Sequence, residues 1–186
     1  MAVKTMKKNT GNGQFNAGWH ELTIETANDG VWTDGQGVEK RIIDLTFKDY
    51  PEGMGHRVFA THNKTTNEEF NIANLFRYTC AGIISVLNDP TGKNPVIQYD
   101  DEVENLIGTR VNALFIKKHN PTTDKDYVEI YDLVPVVQKT EHLTYTEDDV
   151  SHLKAKVERR QSAKTTVSTN GVNTVTPDTT TADIPF

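Results

Sequence analysis

Between Thr66 and Leu87 the chain carries its longest run of helical periodicity, and any fold must be built around it. Ile72, Leu75, Phe76, Thr79, Cys80, Ile83, Ile84 and Leu87 recur at steps of three and four, which places them on one helical stripe. Thr66 and Glu69 have the spacing of a capping box, in which the hydroxyl takes a first-turn N–H and the carboxylate reaches back. Asn88-Asp89-Pro90 is the expected stop, because proline lacks the N–H and disfavours helical geometry in the residue before it.

Three strand-like runs precede this segment. In Trp19 to Thr26, Leu22 and Ile24 alternate with Glu21, Thr23 and Glu25, the pattern of a half-buried strand. Asn28-Asp29-Gly30 and Asp34-Gly35-Gln36-Gly37 are turn-formers, so Trp32 is expected in a glycine-rich loop, folded onto the core or facing a flat partner. Lys40 to Lys48 turns Ile43, Leu45 and Phe47 inward and leaves Lys40, Ile42, Asp44, Thr46 and Lys48 outside. After a turn at Tyr50-Pro51-Glu52-Gly53, His56 to Asn63 is expected as a strand. Val58 and Ala60 suit its core face and Arg57, Phe59 and Thr61 its outer face, although the opposite phase also fits.

Two runs follow. Thr91 to Glu104 is expected as a long solvated connection with acids at Asp100, Asp101, Glu102 and Glu104. Thr109 to Lys118 is a strand with Val111, Ala113 and Phe115 on one face. A turn-rich loop, His119 to Asp124, leads to a strand over Tyr127 to Val137, where Val128 and Ile130 alternate with Tyr127, Glu129 and Tyr131. The two tyrosines form either a stacking platform beside Lys117, Lys118 and Lys125 or the cover of a barrel seam. Three strands, a helix and two strands is the chain order of the OB-fold, a five-stranded barrel that often binds oligonucleotides. The expected fold is therefore mainly β, an OB barrel over residues 15–140 with one helix between its third and fourth strands.

Outside that domain the composition changes. Residues 1–14 form an expected flexible arm with Lys4, Lys7 and Lys8. Residues 141–160 are a short helical extension. Glu147-Asp148-Asp149 opens its helix, Val150, Leu153 and Val157 supply an apolar stripe, and Arg159-Arg160 closes it in the sense that suits the helix dipole. Residues 161–182, rich in Thr, Ser and Asn, read as a disordered linker with a reach of roughly 25 Å. Asp183, Ile184, Pro185 and Phe186 follow as a docking peptide, with two apolar side chains and a carboxylate that a partner's pockets and basic groups would receive.

Charge and composition bound the function. The 186 residues are 35% hydrophobic, which is low for a chain folded throughout. The single cysteine, Cys80, lies on the apolar stripe and reads as a small buried hydrophobe. The charged start, Met1 to Lys8, has no apolar signal region, and no run reaches membrane-spanning length, so a soluble intracellular protein with no membrane association is expected. A net charge of −6 does not exclude a nucleic acid, since a local basic groove can sit within an acidic protein. No enzyme is expected. Around Pro90-Thr91-Gly92-Lys93, Leu87 and Asn94 stand where a phosphate loop needs Gly and Ser or Thr. His56, His62 and His119 lack partners at metal-ligand spacing, and no catalytic residue, metal or cofactor is assigned.

The closing Asp183-Ile184-Pro185-Phe186 resembles the tip through which bacterial single-stranded-DNA-binding proteins recruit partners. The usual preceding run of aspartates is reduced here to Asp178 and Asp183. Gly18-Trp19, the strand Ile42 to Phe47 and the segment Phe70 to Leu87 resemble a bacteriophage family of single-stranded-DNA-binding proteins with an OB-fold, over roughly residues 15 to 138. The resemblance implies coating of single-stranded DNA during phage replication, recombination or repair, in the cytoplasm of an infected bacterial host. It also implies recruitment of a polymerase, helicase, primase or nuclease by the tip. Trp32, Phe59, Tyr127 and Tyr131 are the candidates for stacking bases, and Lys40, Lys48, Arg57, Lys117, Lys118 and Lys125 for phosphates. Two alternatives stay open: an adaptor competing for clients of the host's single-stranded-DNA-binding protein, and an RNA-binding OB module. The open edges of such a barrel leave room for a homo-oligomer.

Overall fold

The computed structural model describes residues 16–48, 55–88 and 95–169. The chain is mainly β. Its principal sheet is antiparallel, with β1 (Gly18–Thr33), β2 (Glu39–Phe47) and β3 (Gly55–Phe59) before helix α1 (Asn71–Thr79). A separate hairpin follows, β4 (Ile83–Asn88) and β5 (Pro95–Tyr99), then β6 (Arg110–Asn120) and β7 (Lys125–Pro135) return to the sheet. A two-residue hairpin, β8 (Gln138–Lys139) and β9 (Thr144–Tyr145), leads to helix α2 (Glu147–Thr169). The strand order is β3-β2-β1-β6-β7, and among the described residues no ladder joins β3 to β7.

β1 belongs to both halves of the sheet. Gly18 to Thr23 pair with β6, Ile24 to Thr33 pair with β2, and the register shifts between Ile24 and Thr26. At the handover Ile24 donates to Thr109 O (2.9 Å), while Thr23 O accepts the Lys48 N–H (2.9 Å). The strand does not break at Asn28-Asp29-Gly30, as the turn-formers suggest, because those residues are held in the β2 ladder. Trp32 therefore stands on a strand, not in a loop. The reversal falls at Asp34 to Val38, where the Asp34 carboxylate accepts the N–H groups of Val38 and Gln36, both at 2.9 Å, and is held below the usual carboxylate range by them. Gly37, at φ +81°, supplies the left-handed residue.

The predicted long helix is the largest correction. α1 spans nine residues, and Ile72, Leu75, Phe76 and Thr79 are buried as the periodicity requires. Thr66 takes no part in its cap. Glu69 does the work alone: its carboxylate accepts the N–H groups of Asn71, Ile72 and Ala73 at 2.8–2.9 Å, and that of Thr61 at 3.1 Å. The helix ends at Cys80, which is left-handed at φ 54°, with Ala81 N–H returning to Phe76 O (3.0 Å). Gly82 is left-handed too, and a Cβ there would lie 2.2 Å from Asp100 O. Beyond it, Ile83, Ile84, Val86 and Leu87 form a strand. Their β-branched content fits a ladder better than a helix, and Val96 and Ile97 from the expected solvated connection supply the partners.

The core lies between the sheet and α1. Leu22, Ile24, Ile43, Leu45, Phe47, Val58, Val111, Ala113 and Phe115 meet Ile72, Leu75 and Phe76 there. The strand phases match the alternation in the sequence, with Val58 and Ala60 inward and Phe59 outward. α2 covers the outer face of the β1–β6–β7 half through a second cluster, in which Trp19, Tyr131 and Leu153 pack around Leu114, Val134 and Val157. It continues through Thr169, past the expected end at Arg160. Neither Gly nor Pro occurs until Gly171, so nothing local stops it at 161. The arm at 1–14, the turn at 50–53, the stop at Asp89-Pro90, the rest of the linker and the tip lie outside the described residues.

Candidate nucleic-acid interface

The register of β1, β2 and β3 collects five of the predicted residues on one surface. Trp32 is opposite Lys40, Ile42 opposite both Gly30 and Phe59, and Asp44 opposite Arg57. Alternation then puts Trp32, Lys40, Ile42, Lys48, Arg57 and Phe59 on the outer face, away from Ile43, Leu45 and Val58. The Trp32 and Phe59 rings meet edge to face, 5.4 Å between centroids at 85°. β2 lies between their strands, so the rings can meet only across the top of β2. That explains why outward-facing Ile42 is only 5% exposed. Ile42 also packs over Gly30, where a Cβ would stand in ordinary contact with its Cγ1 at 3.5 Å. The result is an aromatic patch with an aliphatic floor, bordered by Lys40 and Arg57, while Lys48 lies on the same face past the far end of β2.

The second group sits on the β6–β7 hairpin. Lys118 is opposite Tyr127 and Asn120 opposite Lys125. Tyr127 is 43% exposed. Lys117, paired with Val128, points to the opposite side of the ribbon from Lys118. Tyr131 shares the outer face with Tyr127 but packs under α2. The tyrosine pair therefore divides: Tyr127 is exposed and Tyr131 belongs to the cluster that seats the helix.

Not every cation in these two groups is available. Arg57 makes a two-pronged bond to Asp44 at 2.7 and 2.8 Å, which holds the Asp44 carboxyl below the ordinary range and raises Arg57. Lys118 meets Glu129 at 2.5 Å, which raises its ammonium. Lys40, Lys48, Lys117 and Lys125 make no ion pair with a described residue. The sequence reading missed Ile42 as the floor of the patch, and missed Asp44 and Glu129 as carboxylates that partly neutralise it. The outward position of all three was legible, but their pairing needs the register.

Two further features border the site. On the inner side Arg41 binds Asp29 (2.9 Å) and Asp101, tying the β1–β2 hairpin to the segment after β5. The inward-facing His56 on β3 is pushed down to about 4 by burial, against an opposing pull from Glu129 on β7. No helix among the described residues is long and apolar enough to cross a membrane. No protein-family model matches this chain, and no curated protein matches it either.

Proposed function

We propose that this chain binds single-stranded DNA without sequence preference, on the outer face of β1–β2–β3 and along the β6–β7 hairpin. The observation that carries the reading is the Trp32–Phe59 patch, with Lys40 opposite Trp32 and Arg57 on the same face of β3 as Phe59. A flat aromatic surface stacks any base, and cations beside it follow a phosphate backbone whatever its sequence. The strand order supports an OB-type barrel open at one seam, since β3-β2-β1-β6-β7 with α1 between β3 and β6 is that barrel's order before β3 meets β7.

The resemblance to phage single-stranded-DNA-binding proteins extends the proposal to phage DNA replication, recombination or repair within an infected bacterium. The four terminal residues would recruit a replication or repair enzyme.

The test uses the two tryptophans. Trp19 is held by α2: its indole donates to Glu158 (2.8 Å), and Lys154 lies 5.2 Å from its ring centroid. Trp32 is on the proposed face. Titration with oligo-dT should quench fluorescence in Trp19→Phe but leave little quenching in Trp32→Phe. Trp32→Ala should weaken binding by about 1–3 kcal/mol, or roughly 5- to 150-fold. A form ending at Ala182 should bind DNA at least as tightly, because the tip serves proteins. Absence of binding at low salt refutes the proposal, and equal binding of oligo-rU widens it to single-stranded nucleic acid in general.

A further inference from the structure

We infer that α2 carries a second contact for the phosphates of the same strand, through Lys156 and Arg159; this rests on the single-strand reading above. Between Lys154 and Lys164 the helix contains five of the chain's 20 Lys and Arg and one acid, Glu158, in a protein of net charge −6. A bias toward the helix dipole would account for Arg159 and Arg160 if the helix ended there. It runs on through Thr169, more than two turns further, and the dipole's influence fades within the last turn.

Packing explains only part of the basic tract. Lys154 lies over the Trp19 ring, Glu158 accepts from the Trp19 indole, and Arg160 binds Asp132 at 2.8 Å. These residues share the sheet-facing side with Val150, Leu153 and Val157. Arg159 lies off that side, and Lys156, half-buried, lies on its edge next to Arg160, three residues from Arg159. Arg159 is exposed and bonds only to the Ala155 carbonyl of its own helix, at 3.3 Å. Neither makes an ion pair with a described residue.

Their place in the fold makes the contact continuous with the proposed site. Arg160 meets Asp132 on the outer side of β7, and Tyr127 with its neighbour Lys125 lies on the same strand. Five residues of strand separate Tyr127 from Asp132, about 17 Å, a span that a few nucleotides bridge. A strand leaving the hairpin therefore meets the helix next. Past Val157 the helix has no large apolar residue until Val167, so it has no apolar stripe there to seat on the sheet.

The experiment measures oligo-dT affinity of the full-length chain between 50 and 200 mM salt by fluorescence anisotropy. Each lost phosphate contact lowers the slope of log affinity against log salt by about 0.7 for a single strand. The double variant Lys156→Gln, Arg159→Gln should lose about 1.4 from the slope. The ratio of wild-type to variant affinity should then shrink about 7-fold across that range. The charge-keeping variant Lys156→Arg, Arg159→Lys should retain the wild-type slope, which separates charge from any change in helix packing. An unchanged slope in the Gln variant, with Trp32→Ala still weakening binding, overturns this inference alone. Failure of the wild type to bind oligo-dT overturns the reading beneath it as well.

Discussion

The role of Glu69 can be tested in isolation. One carboxylate accepts four backbone N–H groups: three from the first turn of α1, and one from Thr61 at the exit of β3. Asn71, at the start of the helix, donates from its side chain to the Phe59 carbonyl (3.0 Å), so this cap also fixes the end of the strand that displays the aromatic patch. Glu69→Ala strands donors at Ile72, which is buried, and Ala73, which is half-buried, and leaves those at Thr61 and Asn71 within reach of water. A lost cap costs about 1–2 kcal/mol, and a bond to a charged group is worth about 1.5–3 kcal/mol. With two of the four donors rehydrated, the expected loss is about 2–3 kcal/mol. Glu69→Gln keeps an acceptor for the three bonds that Oε1 receives, and gives up the Ala73 bond and the charge at the helix start. It should lose about 1 kcal/mol. Thr66→Ala, which would be as harmful if the capping box operated, should stay within about 0.5 kcal/mol. Urea unfolding at constant m-value measures all three. Loss by Glu69→Ala no larger than by Thr66→Ala would refute the assignment. A Gln variant as damaged as the Ala variant would show that charge, rather than acceptor geometry, carries the effect.

Two further perturbations address stability. His56 is held neutral, with its pKa depressed from an ordinary value near 6.5 to about 4. The unfolded chain binds its proton first as pH falls. Stability should therefore drop between pH 6.5 and 4, by up to about 3 kcal/mol, and change no further through this group below that. Urea titrations of His56→Gln should show a flatter profile in that window, and an unchanged profile would sink the assignment. Gly82→Ala should lose about 3 kcal/mol or more, because φ is +61° and the new Cβ would press on the Asp100 carbonyl. A loss below about 1 kcal/mol would mean that the junction between α1 and the β4–β5 hairpin yields easily.

What was legible in the sequence was the face of each principal strand. Leu22 and Ile24, then Ile43, Leu45 and Phe47, alternate without interruption, and one buried side fixes their phase. The region from Cys80 to Leu87 was not legible in the same way. Ile83, Ile84 and Leu87 continue a helical stripe and also satisfy a strand, and short apolar runs cannot be resolved by period alone. The deciding facts are tertiary: left-handed Cys80 and Gly82, and a β5 partner that the sequence hides among acids. Trp32 was expected in a loop and stands on a strand, since Asn28 to Gly30 are held in the β2 ladder rather than in a turn. The division of Tyr127 from Tyr131 depends on α2, and the neutralising of Arg57 by Asp44 depends on cross-strand register. Neither can be read along one chain direction.

The sharing of β1 between two partners also sets a timetable for folding. Its second half meets β2 across a tight turn, a hairpin event of about 1–10 μs. Its first half waits for β6, with α1 and the β4–β5 hairpin contained in the intervening loop, so closure is a slower, non-local search. During that interval β1 presents an unpaired edge from Gly18 to Thr23, including Leu22. A newly made chain is thus most open to mispairing with a neighbour along the stretch that in the finished protein lies in the middle of the sheet.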